Sequence, residues 1–221
     1  MKQTTETVGN MSTRKLKREI RQKLADQRYN EITDLVSSSS KVGSSLMRLL
    51  YDKEPVICHR AALCIGLVAG VEAKIDLEKV RGTLRRLLWT MNDESGSICW
   101  YAPEAIGEIL VNVPKMLDEF GNILPSFIKE EPFERGTYYA LWRLVTSYGE
   151  RFSSLKIAFK LALSASDPAI RGYSAMALKA LGYQSEIKAD ELLAGVGAEF
   201  DYFDPQRGEV IRERLGSICQ T

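Results

Sequence analysis

The stretch MNDESGSICWYAPEAIGEIL, from Met91 to Leu110, holds the residues best suited to chemistry: Trp100, Glu104 and Glu108 recur at every fourth position. On one continuous helix that spacing lines them up on a single face. Two carboxylates one turn apart repel each other by roughly 0.2–0.5 kcal/mol in water, and by more once desolvated. Something must compensate, and Arg143 is the candidate within the chain. Three readings stand. Glu104 or Glu108 pairs with Arg143 while Trp100 fills space between helices; or Trp100, Glu104, Glu108 and Arg143 build a ligand or partner groove; or the carboxylates do acid–base catalysis. No activated nucleophile stands beside the pair, which disfavours the third reading.

Other candidates surround this stretch. Asn92, Asp93, Glu94 and Ser95 either cap the helix that follows, with Gly96 easing its entry, or form a polar loop at a groove mouth where Asp93 and Glu94 meet a basic partner. They lack the one-three-five oxygen spacing of a calcium loop. Cys58, His59 and Cys64 lie close together in VICHRAALCIG, but no paired CxxC elements accompany them, and His59 is the only histidine. Neither a metal site nor a cofactor is expected from that set. Arg135 and Arg171 are either internal ties or the basic end of a groove that is acidic at Glu104 and Glu108.

Composition bounds what such residues can belong to. The 221 residues, 45% hydrophobic and 27% charged, are those of an ordinary globular chain. The N-terminus has no apolar segment after its first charge, which predicts a cytoplasmic protein. Four cysteines are too few for a disulfide scaffold and are expected as thiols. No apolar run is read as approaching the eighteen residues of a membrane span. Residues 1–30 hold eight Lys/Arg against three acids, so they carry +5 of an overall +1, and the rest of the chain carries −4. That body is too acidic for a general nucleic-acid footprint.

The elements that must position these residues read as helices throughout. Leu16, Ile20 and Leu24 form one apolar stripe within 13–26, and similar stripes run through 43–51 and 76–91. No sustained alternation and no Asn-Gly or Asp-Gly turn signals strands. The chain also repeats. The segments beginning at Glu54, Ser95, Glu131 and Asp167 align so that Pro55, Gly96, Pro132 and Pro168 share a column, at separations of 41, 36 and 36 residues. An acid followed by proline starts a helix well, and small residues two turns later admit a close neighbour. Each such helix is preceded by another amphipathic one, at 41–51, 76–91, 114–129 and 153–165. Such pairs bury their apolar faces by stacking. The alignment sets Cys58 and Cys99 in one column with Arg135 and Arg171, and places Arg143 one repeat beyond Gly107.

DPAIRGYSAMALKALG resembles the HEAT-repeat consensus, in particular the short HEAT-like repeats of phycobilisome lyases. The resemblance covers roughly residues 41–183, strongest at the fourth repeat and degenerate at the second and third. It implies an all-α, right-handed solenoid of about four helical hairpins whose second helices line a concave face. The basic segment 1–40 is expected either to cap one end or to touch nucleic acid or an acidic membrane surface through its helix Arg14–Leu24, and 184–221 to cap the other end. NDESGSICWYAPEAIGEIL also resembles small uncharacterised bacterial or archaeal proteins of this class, which adds no function. The expected function is a non-enzymatic scaffold that binds a partner protein or peptide in its groove. Two alternatives remain: a DNA-repair enzyme similar to the HEAT-like alkylpurine DNA glycosylases, and a lyase-like chaperone for a cofactor or chromophore. Trp89, Trp100 and Trp142 do not match the glycosylase residues motif by motif, and the acidic body argues against DNA.

Overall fold

A computed structural model describes residues 11–92, 96–187 and 199–219. The chain is mostly helical, as its apolar spacing predicts. It divides into two compact units, one ending at Val113 and the other beginning at Pro114.

The first unit contains α1 (Thr13–Ala25), α2 (Tyr29–Asp34), α3 (Val42–Leu49), α4 (Pro55–Glu72), α5 (Leu77–Trp89) and α6 (Ala102–Asn112). Ser12 caps α1 by accepting from the Lys15 amide, and the stripe Leu16, Ile20 and Leu24 is fully buried. Helix α1 packs on α3 and α4, and α4 lies along α6. Glycine makes that last approach possible: a Cβ at Gly66 would sit 2.5 Å from the Glu108 carbonyl oxygen. Helix α4 also corrects the reading that no apolar run reaches membrane-spanning length. It has 18 residues and a mean hydropathy of 1.4, long and apolar enough by composition alone. It is, however, 67% buried within the fold. Its Arg60 donates to the Leu24 and Ala25 carbonyl oxygens at 3.1 and 2.9 Å. The guanidinium thus satisfies the open C-terminal end of α1, where a cation is favoured.

The second unit contains α7 (Leu117–Phe120), α8 (Glu134–Tyr148), α9 (Lys156–Ala162) and α10 (Pro168–Ala180). Helices α8 and α10 pack together, and α9 packs on α10. The single helix expected over 114–129 is instead α7 between two 3-10 turns, Pro114–Met116 and Leu124–Phe127. Gly121 and Pro125 interrupt it, the proline because it has no N–H to donate. Asp167 caps α10 as its sequence predicts, accepting from the Ala169 amide at 2.7 Å.

The strictly all-α expectation is corrected at the C-terminal end. Strands β1 (Glu199–Asp204) and β2 (Glu209–Arg214) form an antiparallel hairpin, with Tyr202 opposite Ile211 and Phe203 opposite Val210. The two buried aromatics of β1, Phe200 and Phe203, are three residues apart, so the strand breaks the two-residue alternation that would have revealed it. Its turn is Asp204-Pro-Gln-Arg-Gly208: Asp204 Oδ1 accepts from the Gln206 amide at 2.8 Å, and Gly208 takes a φ of 66°. The hairpin packs on α10, where a Cβ at Gly172 would lie 2.2 Å from Phe200 Cε2. Trp142 stacks on Tyr173 with centroids 5.7 Å apart, and Tyr202 meets Trp142 edge-on at 6.2 Å.

Candidate binding site

The helix meant to carry Trp100, Glu104 and Glu108 begins later than their spacing suggests. Tyr101 is the N-cap of α6 and Pro103 lies in its first turn. A proline there cannot donate back into an earlier turn, so the helix does not extend to Trp100. The expected single line is therefore broken. Glu104 and Glu108 face inward, 5% and 0% exposed, while Trp100 lies in the preceding turn, 65% exposed. Asn92 is exposed just past α5 and does not cap α6, which starts ten residues later. Asp93 and Glu94 lie outside the described residues.

Around Trp100 the structure gathers residues that the spacing did not single out. Leu50, Tyr51, Asp52, Ile98, Trp100 and Tyr101 line a cleft of about 210 Å³. Tyr51 follows directly on the apolar stripe of α3, is 48% exposed, and donates its hydroxyl to the Ser97 carbonyl oxygen at 3.1 Å. That bond fixes the ring. Tyr101 meets His59 edge-on at 4.9 Å, so the histidine braces an aromatic wall. At the other rim Arg21 of α1 donates to both oxygens of Asp52, at 2.8 and 3.1 Å, and to Glu54 at 2.8 Å. Burial raises the Asp52 carboxyl, but the Arg21 bonds and the Glu54 amide outweigh it and hold the group below its ordinary value.

Against this cleft lie two buried thiols, Cys58 and Cys99. Burial, with smaller contributions from Asp52, Cys99 and Glu104, pushes Cys58 up to about 12. Burial, with Glu104 adding to it, pushes Cys99 up to about 11. Cys58 and Cys99 thus lie within electrostatic reach of one another and of Glu104, as their shared alignment column suggests. Burial alone pushes Cys64 up to about 12, which fits its reading as a packing residue. At all three, burial disfavours the thiolate, the form that attacks as a nucleophile. Among the described residues no three His, Cys, Asp or Glu side chains converge as metal ligands.

The remaining candidates belong to the second unit. Arg143 is half-buried on α8. Arg171 is 1% exposed and donates to the Ala165 and Ser166 carbonyl oxygens at 2.7 and 3.2 Å, tying down the turn that leads into α10. Its reading as an exposed groove residue is corrected. Arg135 is exposed, but it donates to the Asp201 carbonyl oxygen at 2.7 Å and so engages the hairpin. The face on which a basic groove was expected carries the chain's own β1.

A protein of Archaeoglobus fulgidus, named only as an uncharacterized protein, is 33% identical over 92 residues, or 42% of this chain. The chain spans about half of that relative's length, 47%. No family profile matches the chain, and no solved structure matches it.

Proposed function

We propose that this chain is a non-enzymatic interaction module, built of HEAT-like helical hairpins, that grips a partner polypeptide at the cleft between Tyr51 and Trp100. The helix order supports the repeat reading: α3 precedes α4, α5 precedes α6, α9 precedes α10, and the second helices pack in the pairs α4–α6 and α8–α10. The observation that carries the function is Trp100, 65% exposed beside a pinned tyrosine and an apolar floor. Leaving a tryptophan in water is unfavourable, and aromatic rings held at the rim of a pocket are the commonest energetic anchors of interfaces. Catalysis receives no comparable support, since Glu104, Glu108, Cys58, Cys64 and Cys99 are all buried.

The test is a selection of displayed peptides against the immobilised protein, followed by calorimetric titration of the winners on wild type and Trp100→Ala. A loss of about tenfold or more in affinity, with unchanged circular dichroism, is the expected result. Equal affinity in the variant, or no selectable peptide, would overturn the reading. Selection of nucleic acid by the same cleft would overturn it in favour of a DNA-directed function.

A further inference from the structure

A second concavity in the first unit lies apart from the aromatic cleft. Two cavities of about 310 Å³ each share Ser40, Glu72 and Lys79 as a common wall, forming one trough that runs from between α3 and α5 to residues 36–40 and the turn joining α4 to α5. Each lobe is at the small end of ligand-sized sites, which run from roughly 300 to 1,000 Å³. The trough exists because two helices carry glycine on the sides that face it. A Cβ at Gly43 would approach only Glu72 Oε1, at 4.0 Å, and a Cβ at Gly82 would meet nothing within 4 Å. Glycine within a helix such as α5 is intrinsically unfavourable, so the empty space is not what helix propensity alone would select.

The polar groups lining the trough define what it can hold. Glu72 is 6% exposed, and its charge is matched by Lys79 Nζ at 2.5 Å. That pair is internally neutral and needs nothing from a ligand. Ser44 donates its hydroxyl to the Lys41 carbonyl oxygen at 3.0 Å, and Thr83 donates to the Lys79 carbonyl oxygen at 3.1 Å. With their protons committed to backbone, both hydroxyls offer only lone pairs to an occupant. Two charges remain. Asp76, in the lobe without Arg86, caps α5 by accepting from the Lys79 amide at 3.2 Å, and Arg86, exposed on the wall of the other lobe, makes no ion pair among the described residues. An occupant is thus met by one open guanidinium and by hydroxyl oxygens able to accept.

From this arrangement we infer that the trough is a binding site for a small hydroxylated oxyanion, a sugar phosphate or sugar acid. The anionic group sits on Arg86 and the hydroxyls donate to Ser44 and Thr83. Guanidinium–oxyanion pairing gives a directed, charge-assisted contact. The hydroxyls distinguish the ligand from a bare anion.

Isothermal titration with glucose 6-phosphate, gluconate, inorganic phosphate and glucose tests this. Saturable binding of the first or second is expected, with bare phosphate and neutral glucose weaker. Arg86→Gln should weaken binding by about tenfold or more, the size of a lost charge-assisted contact. Gly82→Leu should abolish it by filling the trough, while its urea midpoint stays at or above that of wild type. Arg85→Gln, on the same helix but outside the trough, should bind as wild type does. No saturable binding by any probe, equal binding of inorganic phosphate, or binding that survives both Arg86→Gln and Gly82→Leu would each overturn the inference.

Discussion

Adding a single methyl group to each of two helical glycines should change stability in opposite directions. At Gly82 on α5 a new Cβ has no heavy atom within 4 Å, so Gly82→Ala gains only the intrinsic preference of alanine. That preference stabilises the helix by about 0.8–1.0 kcal/mol. At Gly66 on α4 the same Cβ would fall 2.5 Å from the oxygen, 2.7 Å from the carbonyl carbon and 2.8 Å from the Cβ of Glu108. These are atoms of the α6 main chain and its stem, which cannot rotate aside. Either α4 and α6 separate along their shared length, or the backbone distorts. Overpacking of this kind costs about 1–3 kcal/mol, and contact with backbone belongs at the upper end of that range. After the same propensity gain, Gly66→Ala should destabilise the first unit by about 1–2 kcal/mol. The two variants should therefore differ by about 2–3 kcal/mol, read from urea unfolding followed by circular dichroism with m-values compared. If Gly66→Ala proved as stable as wild type, α4 and α6 could not lie as closely as described. The burial of Glu104 and Glu108, which follows from that packing, would then lose its basis.

Two further perturbations separate structural from surface roles. Arg171→Ala leaves the Ala165 and Ser166 carbonyls without their donor and removes the packed stem, so it should destabilise by about 2–3 kcal/mol in urea unfolding; an arginine on an open groove would leave the midpoint unmoved. For Asp52, the folded carboxyl titrates below its unfolded value of about 4. Its contribution to stability is thus complete above pH 4 and is lost as pH falls through the lower folded value. Urea midpoints measured from pH 6 to pH 3 should show this acid loss, and Asp52→Asn should flatten it; an unchanged acid limb in the variant would assign the loss to other groups.

The helices were legible where an amphipathic stripe repeats over several turns, and where a cap precedes it. Leu16, Ile20 and Leu24 in α1, or Asp167 and Pro168 opening α10, need only local chemistry to place them. The hairpin at 199–214 was not legible, because its aromatics obey the helices beneath them and not strand alternation: Phe200 fills the space that Gly172 leaves on α10, and Phe203 meets Tyr139 of α8. Arg60, which closes the end of α1, gave no local signal either, whereas Arg171 was open to reading as an internal tie. A buried arginine is recognised by the carbonyls it reaches, and for Arg60 those are some 35 residues away in sequence.

Trp100 shows how a repeat alignment can misplace a site while finding its neighbourhood. Matching Gly96 to Pro55 imposed a helix start on the second repeat, and Pro103 then fell in a column of core positions beside Ala62. The opposite inference was available from the same residues. Proline is best tolerated in a helix's first turn, so Pro103 itself marks the start of α6 and leaves Trp100 one turn outside. Two consequences follow from that one shift. The glutamates, freed from sharing a face with the tryptophan, can turn into the α4–α6 contact. The tryptophan, freed from the helix, can meet Tyr51 at the end of α3. The unusual triplet is therefore two features with separate tests: a buried carboxylate pair that answers to helix packing at Gly66, and an exposed aromatic that answers to a partner.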